Sequence, residues 1–301
     1  MAGQSRVLSD RNYGLLLVLP TTIVLVLIII FPLGYSLYLS FVSLNLLRPG
    51  QGSHFVGLLN YLRVVTDPLF DQSLLRTLAF VVGTLTVELA YGLLVAILLN
   101  RADLKGRGAF RTLLLFPLMI APIVSGLQWR WILADQYGVL NYLLHVVGLP
   151  APVWLGEPVS AMAAIFIANF WVSTPFDIMV LLAGLQGIPD EPVEAAIIDG
   201  AGWFSRLRYV VLPLLKPAIL VVLLIRLADA IRIFDVVYVL TGGGPGDSTE
   251  VFSTYIFRVS FTNLNLSQGA AGSLVMVLIT ALMSFILSRR FKERLARGRK
   301  D

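Results

Sequence analysis

The sequence predicts an all-α integral membrane protein with six transmembrane helices, and three observations carry that prediction. Of its 301 residues, 57% are hydrophobic and only 14% are charged, whereas about a quarter of a water-soluble domain is charged. The mean hydropathy is strongly positive. The apolar residues are also gathered into runs that match a bilayer, which needs roughly 20 of them at 1.5 Å each. The chain has no cysteine, which excludes disulfides and thiolate metal sites. His54 and His145 stand far apart and read as isolated loop residues rather than a metal pair. The net charge of +5 fits the clustering of basic residues on the cytoplasmic side of membrane proteins and is no nucleic-acid signal.

The first run, 15–39, exceeds the roughly 7–15-residue apolar core of a secretory signal and is closed by no small-x-small site. It is read as a retained helix, bent at Pro20 and Pro32, which membrane helices tolerate. Further runs lie at 77–99, 113–133, 160–183, 217–239 and 268–288, all within one transmembrane domain, 1–301. Between the first two runs, Leu58, Leu59, Leu62 and Val65 have helical spacing, and their short helix lies either on the membrane surface or against the spans. Asp67-Pro68 reads as a turn. After the fifth run, Gly242, Gly243, Gly244 and Pro245 form a loop that cannot continue a helix. It has neither the Lys-Ser/Thr pair of a phosphate-binding loop nor a strand-to-helix setting. With no nucleotide motif and no nucleophile–base constellation elsewhere, the chain is not expected to be an enzyme.

Lys and Arg orient the spans. If the N-terminus, the 100–112 loop, the 184–216 loop and the C-terminus share a side, that side holds sixteen, and only Arg48, Arg63, Arg76 and Arg258 lie opposite. Both termini are therefore expected in the cytoplasm of a multi-pass protein of the cell or inner membrane. The same count places in the cytoplasm the polar island 188–217, IPDEPVEAAIIDGAGWFSRLRYVVLPLLKP. Its small residues permit close approach of another protein, and its glycines supply turn dihedrals.

That island also carries a specific spelling. Glu194-Ala195-Ala196, then Gly200, then Val210-x-Leu212-Pro213 resembles the cytoplasmic loop of permease subunits of ATP-binding-cassette importers. Phe31-Pro32 with Ser40-Phe41, Phe55-Val56-Gly57-Leu58 with Asn60-Tyr61, Gly126-Leu127 with Trp129, Gly138 with Asn141, and Phe234-Asp235 with Tyr238-Val239-Leu240-Thr241-Gly242-Gly243-Gly244-Pro245 extend the likeness over nearly the whole chain. The pattern is similar to the carbohydrate permeases of binding-protein-dependent importers, and its Thr-Gly-Gly-Gly-Pro to the first permease of the maltose/trehalose type. Arg76 in place of a common Asn, Pro192 before the Glu-Ala-Ala run, and Val210 in place of Ile are departures.

The resemblance implies the type I ABC importer permease fold and a passive half of a sugar pathway. It implies coupling through Glu194, Ala195, Ala196, Asp199 and Gly200 to a separate ATPase dimer, which binds the ATP and Mg, so no cofactor is expected in this chain. A second, unlike permease, surrounding membrane lipid and an extracytoplasmic sugar-binding protein meeting Gly242, Gly243, Gly244 and Pro245 complete the implied assembly. The implied substrate is a di- or oligosaccharide, with a polyol or glycerol phosphate as alternative.

Six ionisable residues interrupt the apolar runs: Glu88, Asp177, Arg226, Asp229, Arg232 and Asp235. A charge at a helix centre costs at least ~2.5 kcal/mol, so these residues face protein or water. Arg226, Asp229, Arg232 and Asp235 recur every three residues and read either as an ion-pair ladder that holds helices together or as substrate contacts. With Asp177 and with Asn169, Trp171, Ser173 and Thr174 of the fourth run, they offer the amide, charged and aromatic groups that suit sugar hydroxyls and an apolar pyranose face. An ion-coupled secondary transporter using Glu88, Asp177 or Asp229 as a proton site is the competing reading, and it leaves the Glu194 loop unexplained.

Overall fold

A computed structural model describes residues 10–47, 53–101 and 103–297; Arg48 and the extreme termini lie outside them. The chain falls into two compact units, one of Met1–Thr66 with Arg258–Val275 and one of Asp67–Phe257 with Met276–Asp301.

In the first unit α1 (Asp10–Leu25) passes through Pro20 into a wider π-helical turn, Val26–Ile30, and on into α2 (Phe31–Phe41). Phe31 N–H reaches back five residues to the Val26 carbonyl, so the helix widens by one residue just before Pro32. A proline ring clashes with the preceding turn and lacks a donor, and the wider turn accommodates it. Gly14–Phe41 is thus one apolar helix of 28 residues. Beyond it β1 (Val42–Ser43) pairs antiparallel with β2 (His54–Phe55). Asn60 of α3 (Leu59–Val65) locks this corner, donating through Nδ2 to the carbonyls of Ser40 at 2.9 Å and Val42 at 2.7 Å. Asn60 and Val64, one turn apart, are the buried face of α3, and the apolar stripe Leu58, Leu59, Leu62, Val65 points outward.

The second unit opens with α4 (Pro68–Asn100), whose 33 residues begin nine positions before the expected run. Asp67 is its N-cap, accepting from Leu69 N–H at 3.0 Å, and Pro68 is its first helical residue. The pair read as a turn is therefore a helix start. Next come α5 (Arg107–Leu115), a 3-10 turn at Phe116–Met119 and α6 (Pro122–Ile132). The expected span 113–133 is corrected here: it is not one unbroken helix but parts of two, bent by 101°. Pro117 and Pro122 cause the break, because each lacks a donor and the residue before Pro122, Ala121, is extended. α7 (Val139–Val146) precedes α8 (Pro158–Gln186), and α9 (Asp190–Ile198) and α10 (Trp203–Arg206) lead through a π-helical turn into α11 (Leu212–Ile231).

The expected fifth span, 217–239, is also corrected. Helix runs from Trp203 to Ile231, and the chain then breaks and restarts as α12 (Asp235–Leu240). Pro213 sits in the first turn of α11 and Pro217 inside it, so neither proline starts the span as an apolar-run reading assumes. Arg226 and Asp229 consequently lie in the last two turns of the helix. α13 (Phe252–Phe257) and α14 (Leu266–Arg297) complete the chain. Among the described residues five helices are long and apolar enough to cross a membrane, or six if the bent pair counts as one.

α4, α8 and α11 pack on one another, and α12 packs on α6 and α8. One core joins Phe80, Val81, Ile165, Ala168, Leu227 and Ile231; a second joins Ala96, Leu99, Leu181, Leu185, Leu215 and Val222. The α8–α11 approach depends on Gly184, where a Cβ would stand 2.6 Å from the Ala218 Cβ and 2.8 Å from the Leu215 Cδ1. Gly184→Val is therefore expected to destabilise the purified protein by about 1–3 kcal/mol through overpacking. Gly108→Ala, in open space, should be neutral or slightly stabilising, as expected in an exposed helix. Thermal unfolding in detergent compares them, and an unchanged midpoint for Gly184→Val would contradict the packing.

Candidate functional site

Between α8 and the end of α11 lies a cavity of about 540 Å³, walled by Asn169, Ser173 and Phe176 from α8, Ile225, Arg226 and Asp229 from α11, Arg232 and Phe234 from the break after it, and Asp235 from the start of α12. Asn169 and Phe176 are seven residues apart, about 20° around the helix, so they share a face with Ser173. The break at Arg232–Phe234 exposes three further side chains that a continuous helix would have spread around its circumference.

Arg226 is the fixed point of this wall. Its Nε donates to Asp177 Oδ1 at 2.6 Å, its Nη2 donates to the Ser173 carbonyl, and its guanidinium lies 4.9 Å from the centre of the Phe176 ring. Asp177 is fully buried on α8, whereas Arg226 keeps a narrow exposure to the cavity. The helices approach closely at this level, since a Cβ on Gly92 of α4 would be 3.0 Å from the Asp177 Cβ. Asp229 stands 3.7 Å from Arg226 Nη1 and accepts from Arg232 Nη2 at 2.7 Å, with half or more of the Arg232 side chain exposed. The ladder along one helix is thus only part of the network: the short, buried bond of Arg226 crosses to another helix. From the other side Asn169 Nδ2 donates to Glu88 Oε1 of α4 at 2.9 Å, and Glu88 is buried.

The expected pathway residues divide accordingly. Asn169, Arg226, Asp229, Arg232 and Asp235 line the cavity, and Asp177 backs it. Trp171 and Thr174 do not line it. They sit about 200° and 140° around α8 from Asn169; Trp171 packs edge-on against Trp129 at 6.2 Å, and Thr174 is buried, donating to the Phe170 carbonyl. The aromatic side chains that line the cavity are Phe176 and Phe234 instead. The helical spacing Asn169, Ser173, Phe176 is the signal that would have found the first; nothing local points to the second.

At the other end of α11, Glu194, Ala195 and Ala196 occupy α9, which begins at Asp190. Pro192 falls in its first turn, where no intrahelical donor is needed. Gly200 ends it in the left-handed region, φ +77°, with Gly200 N–H on the Ile197 carbonyl at 3.0 Å and Ala201 N–H on the Ala196 carbonyl at 2.9 Å, the paired bonds of a Schellman cap around Asp199. Glu194, Ala195, Asp199 and Gly200 are exposed, as are Ile197, Ile198, Trp203, Phe204 and Tyr209. In the glycine loop, Gly242, Gly243 and Gly246 have positive φ, and Thr249 Oγ1 donates to the Gly244 carbonyl at 2.7 Å. Gly242 is exposed, Gly243 is buried, and Gly244 and Pro245 are half-buried.

An exposed, capped helix, α9, thus lies at one end of the long helix Trp203–Ile231 and a polar cavity at the other. The family described as binding-protein-dependent transport system inner membrane component matches residues 88–297. The chain belongs to that family. The trehalose/maltose transport system permease protein MalF of Thermococcus litoralis is 40% identical over 274 residues, 91% of this chain and 90% of that one. The sulfoquinovosyl glycerol transport system permease protein SmoG of Agrobacterium fabrum is 36% identical over 282 residues, 94% and 91% of the two chains. A chain in the crystal structure of a bacterial alginate ABC transporter, in complex with alginate pentasaccharide-bound periplasmic protein, superposes with a TM-score of 0.82 at 22% identity over 95% of this chain and 96% of that one. The type I ABC importer permease fold is thus this permease's fold. Membership of the family removes the motive for an ion-coupled secondary transporter.

The Arg226–Asp177 bond gives a direct test. Asp177→Ala leaves the buried guanidinium with only the longer Asp229 contact and is expected to cost the permease about 3 kcal/mol, whereas Asp229→Ala, at a partly exposed pair, should cost about 1 kcal/mol or less. Asp177→Leu combined with Arg226→Met should recover most of the loss. Thermal unfolding of the purified variants measures all three, and equal effects of the two alanine substitutions would contradict the assignment.

Proposed function

We propose that this permease forms half of the translocation pathway of an ATP-driven sugar importer and takes its substrate through the cavity between α8 and α11. The observation that carries the reading is the composition of that wall. Asn169, Asp229, Arg232 and Asp235 supply donors and acceptors for hydroxyls, and Phe176 and Phe234 supply apolar ring faces, the pairing that a pyranose requires. The names of the relatives, which refer to trehalose/maltose and to a sulfoquinovosyl glycerol, support the sugar class. A di- or oligosaccharide fits best, and a polyol or glycerol phosphate is the alternative. In proteoliposomes holding the complete transporter, Asn169→Ala and Asp229→Asn are expected to lower radiolabelled sugar uptake at least about fivefold, from a lost polar contact worth about 1–3 kcal/mol, with basal ATP hydrolysis retained. Full uptake in both would move the sugar site to another subunit.

The remaining parts of the assembly follow from the other end of α11. A separate ATPase dimer, which holds the ATP and Mg, docks on α9 through Glu194, Ala195, Ala196, Asp199 and Gly200; a second, unlike permease completes the pathway; and an extracytoplasmic binding protein meets the loop Gly242, Gly243, Gly244, Pro245. Both termini are cytoplasmic in this arrangement, as the distribution of Lys and Arg favours. The exposed Ile197, Ile198, Trp203 and Phe204 around the cap are the apolar surface such docking would cover. Gly200→Val places a β-branched residue at φ +77°, unravelling the cap, and Glu194→Ala removes a charged anchor. Both are expected to abolish substrate-stimulated ATP hydrolysis or co-purification of the ATPase. Normal values for both in both variants, or labelling of Ser205→Cys by an impermeant maleimide in intact cells, would contradict this.

A further inference from the structure

Counting the buried Asp177 behind the wall, the charged groups of the cavity are three carboxylates against two guanidiniums. Four charged side chains line the wall itself: Arg226, Asp229, Arg232 and Asp235. Arg226 is neutralised from behind by Asp177 and spends its Nε and Nη2 on Asp177 and the Ser173 carbonyl. Arg232 is paired with Asp229 at 2.7 Å. Asp235, exposed in the first turn of α12, is left with no ion-pair partner among the described residues. The surroundings do not reverse the balance. Glu88, behind Asn169, adds no positive charge, and the Arg130 guanidinium, outside this wall, donates to the Val239 carbonyl at 2.9 Å.

We propose that the cavity is a charge filter: it admits uncharged polyhydroxy solutes, neutral saccharides or polyols, and disfavours carboxylated, phosphorylated or sulfonated ones. The proposal rests on the reading of this cavity as the substrate path. A carboxylate oxygen accepts hydroxyl hydrogen bonds well, so Asp229 and Asp235 serve a neutral sugar directly. An anion in the same place meets like charge between low-dielectric walls, which focus the field and change the local concentration of an ion by tenfold or more. The obvious anion ligand, Arg226, cannot turn toward such a solute without breaking a buried ion pair. Specificity here arises as much from what the wall repels as from what it binds. Asp235 is the selectivity residue, and Asp229 supports it.

The absence of cysteine from the chain makes the filter measurable without knowing the transported sugar. In the complete transporter built with cysteine-free partner subunits, Ile225→Cys places a thiol on the wall, and Ser173→Cys is a second, conservative position. Each is reacted with a cationic and an anionic methanethiosulfonate of similar size. The ratio of cationic to anionic rate is expected to exceed that at Val159→Cys, an exposed reference, by about tenfold, and to fall several-fold on adding Asp235→Asn. A ratio equal to the reference, or one that Asp235→Asn does not change, overturns the proposal. Uptake of maltobionate or glycerol 3-phosphate as fast as that of maltose or glycerol overturns it too. Full uptake in Asn169→Ala and Asp229→Asn with the rate ratio still raised would remove the pathway reading alone, so the two failures are distinguishable.

Discussion

A guanidinium and a carboxylate buried between two membrane helices set the terms for the rest of this structure. Desolvating either ion costs several kcal/mol, and only close approach with further hydrogen bonds repays it. Arg226 and Asp177 meet that condition at 2.6 Å, with the Ser173 carbonyl and the Phe176 ring completing the shell. The bond requires α8 and α11 to stay in register, and Gly92 lets α4 come within reach of the same level. Glu88 and Asn169 then join α4 to α8 one face over. The cavity is the space in front of this knot, and its exposed groups are those the knot does not consume.

The same helix that ends at the knot begins beside α9, the element proposed to dock the ATPase. From Trp203 to Ile231 the chain is helical for 29 residues, about 44 Å at 1.5 Å per residue, and Gly184 lets its middle lie directly against α8. Between Trp203 and Arg226 the chain stays helical with no intervening loop, although the π-helical turn at Leu207–Val211 and the missing donor of Pro217 interrupt the regular hydrogen-bond ladder. The Schellman cap at Gly200 fixes the direction in which α9 leaves this helix.

Much of this was legible in the sequence, because hydropathy and spacing report burial in lipid and helical face. The apolar runs located the long helices, the Glu194 spelling marked a segment that forms the exposed, capped helix α9, and the charges within the runs pointed to residues that line the polar cavity. Several misplaced boundaries fall at prolines, which can start or sit within a helix as well as end one. Asp67-Pro68 is a cap and a first residue rather than a turn, Pro117 and Pro122 split the third run, and Pro213 and Pro217 lie within the fifth helix instead of bounding it. That last shift moved Arg226 and Asp229 to the helix end and hid the break that presents Phe234 and Asp235. Trp171 was favoured on residue type, and its position 200° around α8 from Asn169 was the available counter-signal. The partner of Arg226 was beyond local reading, because Asp177 is 49 residues away and nothing in i, i+3 spacing favours it over Asp229.

We propose that this permease's own wall, held by Arg226 and Asp177, takes the substrate. An experimental structure of the complete transporter, trapped with its ATPase inactive and with its sugar bound, decides the matter. Sugar density is expected within hydrogen-bonding distance of Asn169 and Asp229 and against Phe176 or Phe234, with the Arg226–Asp177 bond intact. Sugar held wholly by another subunit, or Arg226 released from Asp177 to bind it, would overturn that assignment.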